Sequence, residues 1–240
     1  MIPPLPIRLA KAASLVGSHS SSDDSRESSE KSDVYVADIG CDHAYLSLHL
    51  ILTNRCTHAI AADLRQGPLA AAQNNIQMYG CADKITAVLT DGLDGLDRYP
   101  ITDIIICGMG GDTIMDILSR ADFIKKPGMR LILQPQTAFA EVVLFLADAG
   151  FRIIAERYCT ENKKAYRILC AEYIGKRYEI DMKAALVGTP TLDEDWEDYT
   201  FFCQKILGTI DKKIQGARAS HCDDSYLVTL RQEILDSLVT

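Results

Sequence analysis

The sequence predicts an α/β fold: a doubly wound, mostly parallel seven-stranded sheet followed by an antiparallel, coiled-coil-like hairpin of helices. Three observations predict it. Between residues 34 and 174, short runs of β-branched and apolar residues alternate with helical segments, the pattern of repeated β-α units joined by short connections. One run, 101–107 (ITDIIIC), is apolar almost throughout, as suits a strand covered on both faces. After Pro190 the apolar residues thin out into two stripes at helical spacing.

The opening stretch MIPPLPIRLAKAASLVG reads as a short amphipathic helix that starts after its prolines. Arg8 and Lys11 lie inside its apolar part rather than ahead of it, which makes a poor secretory signal. Residues 18–33 (SHSSSDDSRESSEKSD) are half serine and hold no apolar side chain, so they cannot offset their own ordering entropy; a flexible insertion is expected. The run 34–39 (VYVADI) reads as the first strand and 45–52 as a helix. The run 58–63 (HAIAAD) is the second strand, and 67–78 an Ala-rich helix with Pro68 in its first turn. Strands follow at 85–89 (ITAVL) and 101–107, a helix at 113–120, a strand at 129–134 (MRLILQ) and a helix at 138–149. The last two strands, 151–158 and 166–174, have no helix between them and are expected to pair antiparallel. Residues 193–215 carry Phe202, Ile206, Ile210 and Ile214; residues 223–239 carry Leu227, Leu230, Ile234 and Leu238; a turn at 221–224 joins these two helices. The expected division is one domain over 1–185 and the helical hairpin over 186–240.

A chain of 240 residues that is 48% hydrophobic can bury a sizeable core, and it has no apolar run of the length that spans a membrane. Its eight cysteines form no Cys-x-x-Cys pair, so no zinc or other metal is expected; free, buried thiols fit a reducing, cytoplasmic setting. A monomer is expected. The net charge of −8 argues against a general nucleic-acid coat protein but leaves room for a local basic face. Residues 150–185 hold eight Lys and Arg against five Asp and Glu, whereas 34–149 hold eight against thirteen. Arg152, Arg157, Lys163, Lys164, Arg167, Lys176 and Arg177 are therefore candidates for a phosphate track, against the alternative of an ordinary solvated face. Lys125, Lys126 and Arg130 form a second candidate patch, expected near the carboxyl edge of the sheet.

Ligands of open parallel sheets bind beyond the carboxyl ends of the strands. After the first strand comes Asp38-Ile39-Gly40-Cys41-Asp42-His43, where Gly40 permits a sharp turn close to a ligand. Only one glycine of the dinucleotide pattern Gly-x-Gly-x-x-Gly is present, which counts against an NAD enzyme. The second strand ends in Asp63-Leu64, where a carboxylate can accept both hydroxyls of a ribose; the third ends in Thr90-Asp91-Gly92, where one can accept an adenine amine. Acids at three successive strand ends match the pattern of Rossmann-like methyltransferases, although each alone would also serve as a helix cap. The fourth strand ends in Cys107-Gly108-Met109-Gly110-Gly111-Asp112, a loop whose glycines let backbone approach a flat substrate. The fifth ends in Gln134-Pro135-Gln136, with two amides able to read a base edge.

The segments ADIGCDHAYLSLHL, the Gly67-Pro68 helix start, DGLDGL, CGMGGDTIMDIL, RLILQPQ and the strand containing Tyr166 occur in the order found in bacterial tRNA (adenine(22)-N1)-methyltransferases, which the chain resembles over about residues 5–175. The helical hairpin resembles that family's too. The resemblance implies a Rossmann-like fold, S-adenosylmethionine as cofactor, and an adenosine in the D-arm region of tRNA as substrate. Cofactor contacts are then expected from Asp38, Gly40, Cys41, Asp63, Leu64, Asp91, Gly92, Gly108 and Met109. The chain departs from the family pattern at Cys41 (usually serine), Ser47 (proline), Gln136 (asparagine) and Arg167 (glutamate). Gln136 keeps the amide chemistry of the asparagine it replaces.

Adenine N1 carries a free lone pair at neutral pH once the base is unstacked, so alignment rather than a strong base is needed. Asp42 is the candidate carboxylate for the positive charge that develops on the ring, Tyr45 the candidate π-face, Met109 an apolar wall at the methyl position, and Gln134 and Gln136 orienting groups. His43 either orients the base or is a structural residue at the helix start. The rival readings are a methyltransferase for another RNA or a small molecule, and a non-catalytic RNA-binding protein on the same fold.

Overall fold

The computed structural model describes residues 2–17, 33–191 and 195–238. Strands run Tyr35–Ile39 (β1), His58–Asp63 (β2), Ile85–Leu89 (β3), Asp103–Met109 (β4), Arg130–Pro135 (β5), Phe151–Glu161 (β6) and Lys164–Tyr173 (β7). Helices run Ile7–Leu15 (α1), Tyr45–Leu52 (α2), Gln66–Met78 (α3), Gly111–Ser119 (α4), Phe139–Asp148 (α5), Met182–Val187 (α6), Trp196–Ala219 (α7) and Ser225–Asp236 (α8). The strands make one sheet in the order β3-β2-β1-β4-β5-β7-β6. β1 to β5 are mutually parallel, and β7 is antiparallel to both β5 and β6. The chain winds outward from β1 to β3, then returns to begin β4 on the other side of β1. That reversal opens a crevice above the carboxyl ends of β1 and β4.

Strand alternation sorts the core into two layers. Ala37, Ile39, Ile60, Ile104, Ile106, Leu131 and Leu133 face α4 and α5; Val36, Ala59, Ala61, Ile105 and Ile132 face α1, α2 and α3. The same alternation explains the unbroken apolar run at 101–107: successive residues feed opposite layers. β4 itself runs two residues later than that run. Ile101 plugs the core ahead of the ladder, and a bulge at Gly108 carries pairing on to Met109. Helix α4 starts at Gly111, not 113, because its first turn packs so closely on the β5–α5 loop that a Cβ at residue 111 would lie 2.5 Å from the Thr137 carbonyl. Helix α6 was not expected; Asp181 caps it by accepting from the Ala184 amide at 2.8 Å. The predicted serine-rich insertion lies, apart from Asp33, outside the described residues.

The C-terminal helices pack on β6 through Tyr158, Val187, Tyr199, Phe202, Ile210, Ile214, Leu230 and Ile234. Beneath them lies a buried ionic knot that corrects the reading of Arg167 as a surface cation. Its guanidinium is sealed in the core, with Nη2 3.0 Å from Glu156 Oε1, Nε donating to Glu156 Oε2 at 3.2 Å and Nη1 to the Ala185 carbonyl at 2.7 Å. The Tyr158 hydroxyl also donates to Glu156. Buried Asp195, at the start of α7, accepts from the Tyr158 amide at 3.2 Å and from the Lys11 ammonium of α1. Both terminal elements are thereby tied to β6.

Arg130 is likewise buried, ion-paired to Asp103 at 2.5 Å. It opens β5, so Lys125, Lys126 and Arg130 lie toward the amino edge of the sheet, opposite to the expected edge. Among the described residues, no helix is long and apolar enough to cross a membrane, and no three His, Cys, Asp or Glu side chains gather as metal ligands.

Candidate active site

A cleft of about 330 Å³ opens at the switch point, lined by strand-end residues: Ile39 and Gly40 after β1, Asp63, Leu64 and Arg65 after β2, Thr90, Asp91 and Gly92 after β3, and Cys107, Gly108 and Met109 at the end of β4, with Thr113 and Ile117 from α4. Gly40 shapes its floor. Its φ of +74° is one that only glycine adopts at little cost, and a Cβ there would sit 2.5 Å from the Met109 methyl. Met109 reaches over Gly40 because the bulge at Gly108, φ +80°, shifts the last β4 residue out of simple register. Met109 therefore walls the cleft where β1 and β4 diverge.

The loop from Gly40 to Ala44 is held in an uncommon shape, with positive φ at Gly40, Asp42 and Ala44. Three amides pin it: those of Gly40 and Cys41 donate to the Ala62 carbonyl at 2.8 and 3.0 Å, and that of Asp42 to Asp63 Oδ2 at 3.3 Å. Asp63 is buried, and its other oxygen accepts from the Arg65 amide at 2.9 Å. The same carboxylate thus braces the loop and edges the cleft. Asp91 is half-exposed and shares Oδ1 with Arg120 at 3.3 Å.

Asp38 and Cys41 are not on the cleft wall; both are buried behind the loop. The Asp38 carboxyl accepts from the Ser47 hydroxyl at 2.8 Å, a donor that a proline at position 47 could not provide. Burial pushes the Asp38 carboxyl up from 3.8 to about 6, with the Ser47 hydrogen bonds holding it back and the nearby Asp63 charge adding to the rise. Burial likewise pushes the Cys107 thiol up to about 12, and drives Cys41 upward with help from Asp38. Both thiols stay protonated near neutrality, so neither offers a thiolate nucleophile at the cleft.

Asp42, His43 and Tyr45 come together as an exposed rim beside the cleft. The Asp42 carboxylate lies 3.8 Å from His43 Nε2, and the His43 ring stacks on Tyr45 with centroids 5.8 Å apart. Asn75 anchors this rim by donating to the His43 carbonyl at 2.9 Å. Gln136 stands beside the end of β4, where its backbone N–H donates to the Met109 carbonyl at 2.8 Å and its side-chain nitrogen lies 3.8 Å from the position of a Cβ on Gly108. Gln134 does not stand there. It is still inside the ladder opposite Cys107, fully buried, with its amide nitrogen donating to the Pro135 carbonyl at 2.9 Å. Gln134 is fully buried and lines neither opening, so in this position it does not reach a base edge.

Two site residues were missed in the sequence. Arg8 of α1 carries its guanidinium to the end of β4, where Nη1 lies 3.7 Å from the position of a Cβ on residue 108; it also sits 6.0 Å above the Tyr166 ring and pairs with Glu161 at 3.6 Å. Lys205 of α7 joins Lys163 and Lys164 around a second opening beside Gln136 and Tyr166. No local pattern marks either residue, because each reaches the site only through tertiary packing. Of the expected phosphate track, only Lys163 and Lys164 are at this edge. Arg152 begins β6 and Lys176 and Arg177 follow β7, all at the opposite edge, where Arg177 pairs with Asp148 at 2.8 Å.

The donor set fits S-adenosylmethionine. Carboxylates stand after β2 and β3, where a ribose and an adenine can be met, and the glycine floor would be filled by any Cβ. Comparison with known proteins points the same way. Residues 27–169 match the family described as "Methyltransferase domain". The tRNA (adenine(22)-N(1))-methyltransferase of Bacillus subtilis is 33% identical over 137 residues, 57% of this chain and 58% of that enzyme, so the matched stretch spans less than two thirds of its length. A Mycoplasma genitalium protein described as a proposed tRNA methyltransferase is 30% identical over 156 residues, 64% of this chain and 68% of its own. The crystal structure of Streptococcus pneumoniae Sp1610, a proposed tRNA (m1A22) methyltransferase, superposes with a TM-score of 0.79 at 26% identity, covering 98% of this chain and all of that one. Its complex with S-adenosyl-L-methionine superposes at 0.74, with 25% identity and coverage of 98% and 100%.

Proposed function

Because this chain belongs to the methyltransferase-domain family, and within it to the bacterial tRNA (adenine(22)-N1)-methyltransferases, we propose that it transfers a methyl group from S-adenosylmethionine to N1 of an adenosine at position 22, in the D-arm region of tRNA. The observation that carries this reading is the convergence of Gly40, Asp63, Asp91 and Met109 on one cleft at the switch point, with the Asp42–His43–Tyr45 rim at its edge.

When bound, S-adenosylmethionine supplies an electrophilic methyl carbon; the N1–carbon bond forms as the carbon–sulfur bond breaks, and the electron pair stays with sulfur. The chain's residues supply position and charge. Asp63 and Asp91 would hold the cofactor by accepting from its ribose and adenine, and Met109 would form the apolar wall of the cleft. The exposed Asp42 carboxylate offsets the positive charge that the ring gains, with no proton to remove first. The His43–Tyr45 stack offers a flat face to an unstacked base. Gln136, beside the end of β4, can donate to or accept from the base edge. The sheet and its flanking helices would carry the chemistry and α7 and α8 would add contacts to tRNA; the expected boundary at 185 falls inside α6, Met182–Val187, so it does not separate two units.

The test is direct. Incubation with labelled S-adenosylmethionine and unmodified tRNA should yield N1-methyladenosine at position 22, read by nucleoside analysis and primer extension. Label in another nucleoside, or none in tRNA, would refute the substrate assignment.

A further inference from the structure

The second opening has a chemistry of its own. It is lined by Gln136, Phe139, Tyr166, Lys163, Lys164 and Lys205, with no carboxylate among its described lining residues. In a chain of net charge −8, three lysines brought to one opening from two distant segments are not what an average solvated face presents. The nearby carboxylate of Glu161 is already engaged, by Arg8 at 3.6 Å and by the Ile7 amide at 3.3 Å. The opening adjoins the cofactor cleft: the backbone N–H of Gln136, which lines the one, donates to the carbonyl of Met109, which lines the other.

Lysine placement carries a backbone cost. Asn162 and Lys163 form the two-residue turn between β6 and β7, with Glu161 paired to Lys164, and both turn residues have positive φ, +51° and +63°. Glycine is the usual choice at the second position of such a turn, and a lysine there costs about 1 kcal/mol. The turn nevertheless holds two consecutive cations at the mouth of the opening, beside the half-buried Tyr166 ring.

We propose that this cleft grips the phosphodiester backbone of the RNA strand next to the target adenosine, with Lys163, Lys164 and Lys205 as phosphate contacts. Helix α7 then contributes directly to the substrate site. The assignment rests on the tRNA reading above. It separates the labour of the two openings: one holds the cofactor, and the other holds the strand from which the base is drawn.

Lys163→Gly and Lys205→Gln, made in the full chain, test it, with Lys84→Glu at the amino edge of β3 as a charge control. Lys163→Gly removes the cation and relieves the turn, so it should melt no lower than the parent. Both cleft variants should raise the tRNA KM several-fold and leave the S-adenosylmethionine Kd unchanged. Each should lower the slope of log K against log salt in filter binding by about 0.7–0.9, one phosphate's worth. Unchanged tRNA affinity and salt slope in both variants would overturn the proposal, as would equal losses in the Lys84→Glu control. Filter binding reads the cleft whether or not methyl is transferred. Lysine-dependent binding without methylation refutes only the activity, whereas methylation with lysine-independent binding refutes only the cleft.

Discussion

Asp38 stands at the end of β1 with 5% of its surface exposed, and the chain tolerates a charge there at a measurable cost. Its carboxyl is raised from 3.8 to about 6. The folded state therefore holds the proton more tightly than the unfolded chain does. The group's stabilising contribution is complete below pH 3.8 and is lost as pH rises through 6. A rise of about two pH units at about 1.4 kcal/mol each means about 3 kcal/mol forgone at pH 7.5. Asp38→Asn keeps the shape and an oxygen to accept the Ser47 hydroxyl, now at 2.8 Å, but carries no charge. Urea unfolding should find the variant more stable by up to about 3 kcal/mol at pH 7.5, with an unchanged m-value, and by about half as much at pH 5. A gap that does not vary between those two pH values would refute burial of the charge as its cause, and so would an Asn variant less stable than the parent at pH 7.5. Calorimetry on the same samples should show weaker S-adenosylmethionine binding, since a costly charge beneath the cofactor loop is otherwise hard to account for.

Other substitutions test the site and its supports. Gly40→Ala places a methyl 2.5 Å from the Met109 side chain at a φ of +74°, so cofactor affinity should fall at least about tenfold by calorimetry and stability by about 1–2 kcal/mol. Asp42→Ala should lower kcat with little change in cofactor Kd, whereas Asp63→Ala should weaken the cofactor and also lower kcat, because Asp63 Oδ2 braces the Asp42 amide at 3.3 Å. Steady-state kinetics that showed only a cofactor effect for both would remove Asp42 from the base-facing rim. Glu156→Gln leaves the Arg167 guanidinium buried without its counter-charge and should cost about 3–5 kcal/mol in urea unfolding.

Periodicity made the sheet readable because β1, β2, β4 and β5 are short, apolar and each followed by an α-helix. The strands 58–63 and 85–89 and the helix 45–52 were readable to the residue. Errors arose where tertiary contact overrides local pattern. The start of β4 was misread because Ile101 is as apolar as the strand it precedes. The early start of α4 was missed because Gly111 weighs against helix locally and is there only for its packing on Thr137. At the site, the cleft-lining positions could be read because topology places ligands at strand ends; Gly40, Asp63, Asp91 and Met109 all follow from that rule. Charge was the poorest guide. Arg167 and Arg130 look like surface cations in sequence, and only the fold shows each one sealed against an acid. Arg8 and Lys205 had no signal at all, since their nearest partners at the site are 100 and about 40 residues away in the chain.

The position of the basic opening follows from the one break in the parallel sheet. The chain keeps the βα pattern through β5 and α5, so β6 starts at the amino edge, and a further helix after β6 would have carried the chain back there again. Instead β6 runs up beside the sheet, turns at Asn162-Lys163, and returns as β7 between β5 and β6. An antiparallel strand that pairs with β5 must begin where β5 ends, so the turn is brought beside Pro135-Gln136 whatever its side chains are. The ionic knot makes the same hairpin an anchor: Glu156, Tyr158 and Arg167 on its two strands bind α6, while Asp195 draws in both α7 and Lys11 of α1. α1 can then reach Gly108 through Arg8, and α7 can reach the turn through Lys205. The buried charges thus have a structural consequence beyond their own energies: they hold α1 and α7 against the carboxyl edge of the sheet, where the two openings lie.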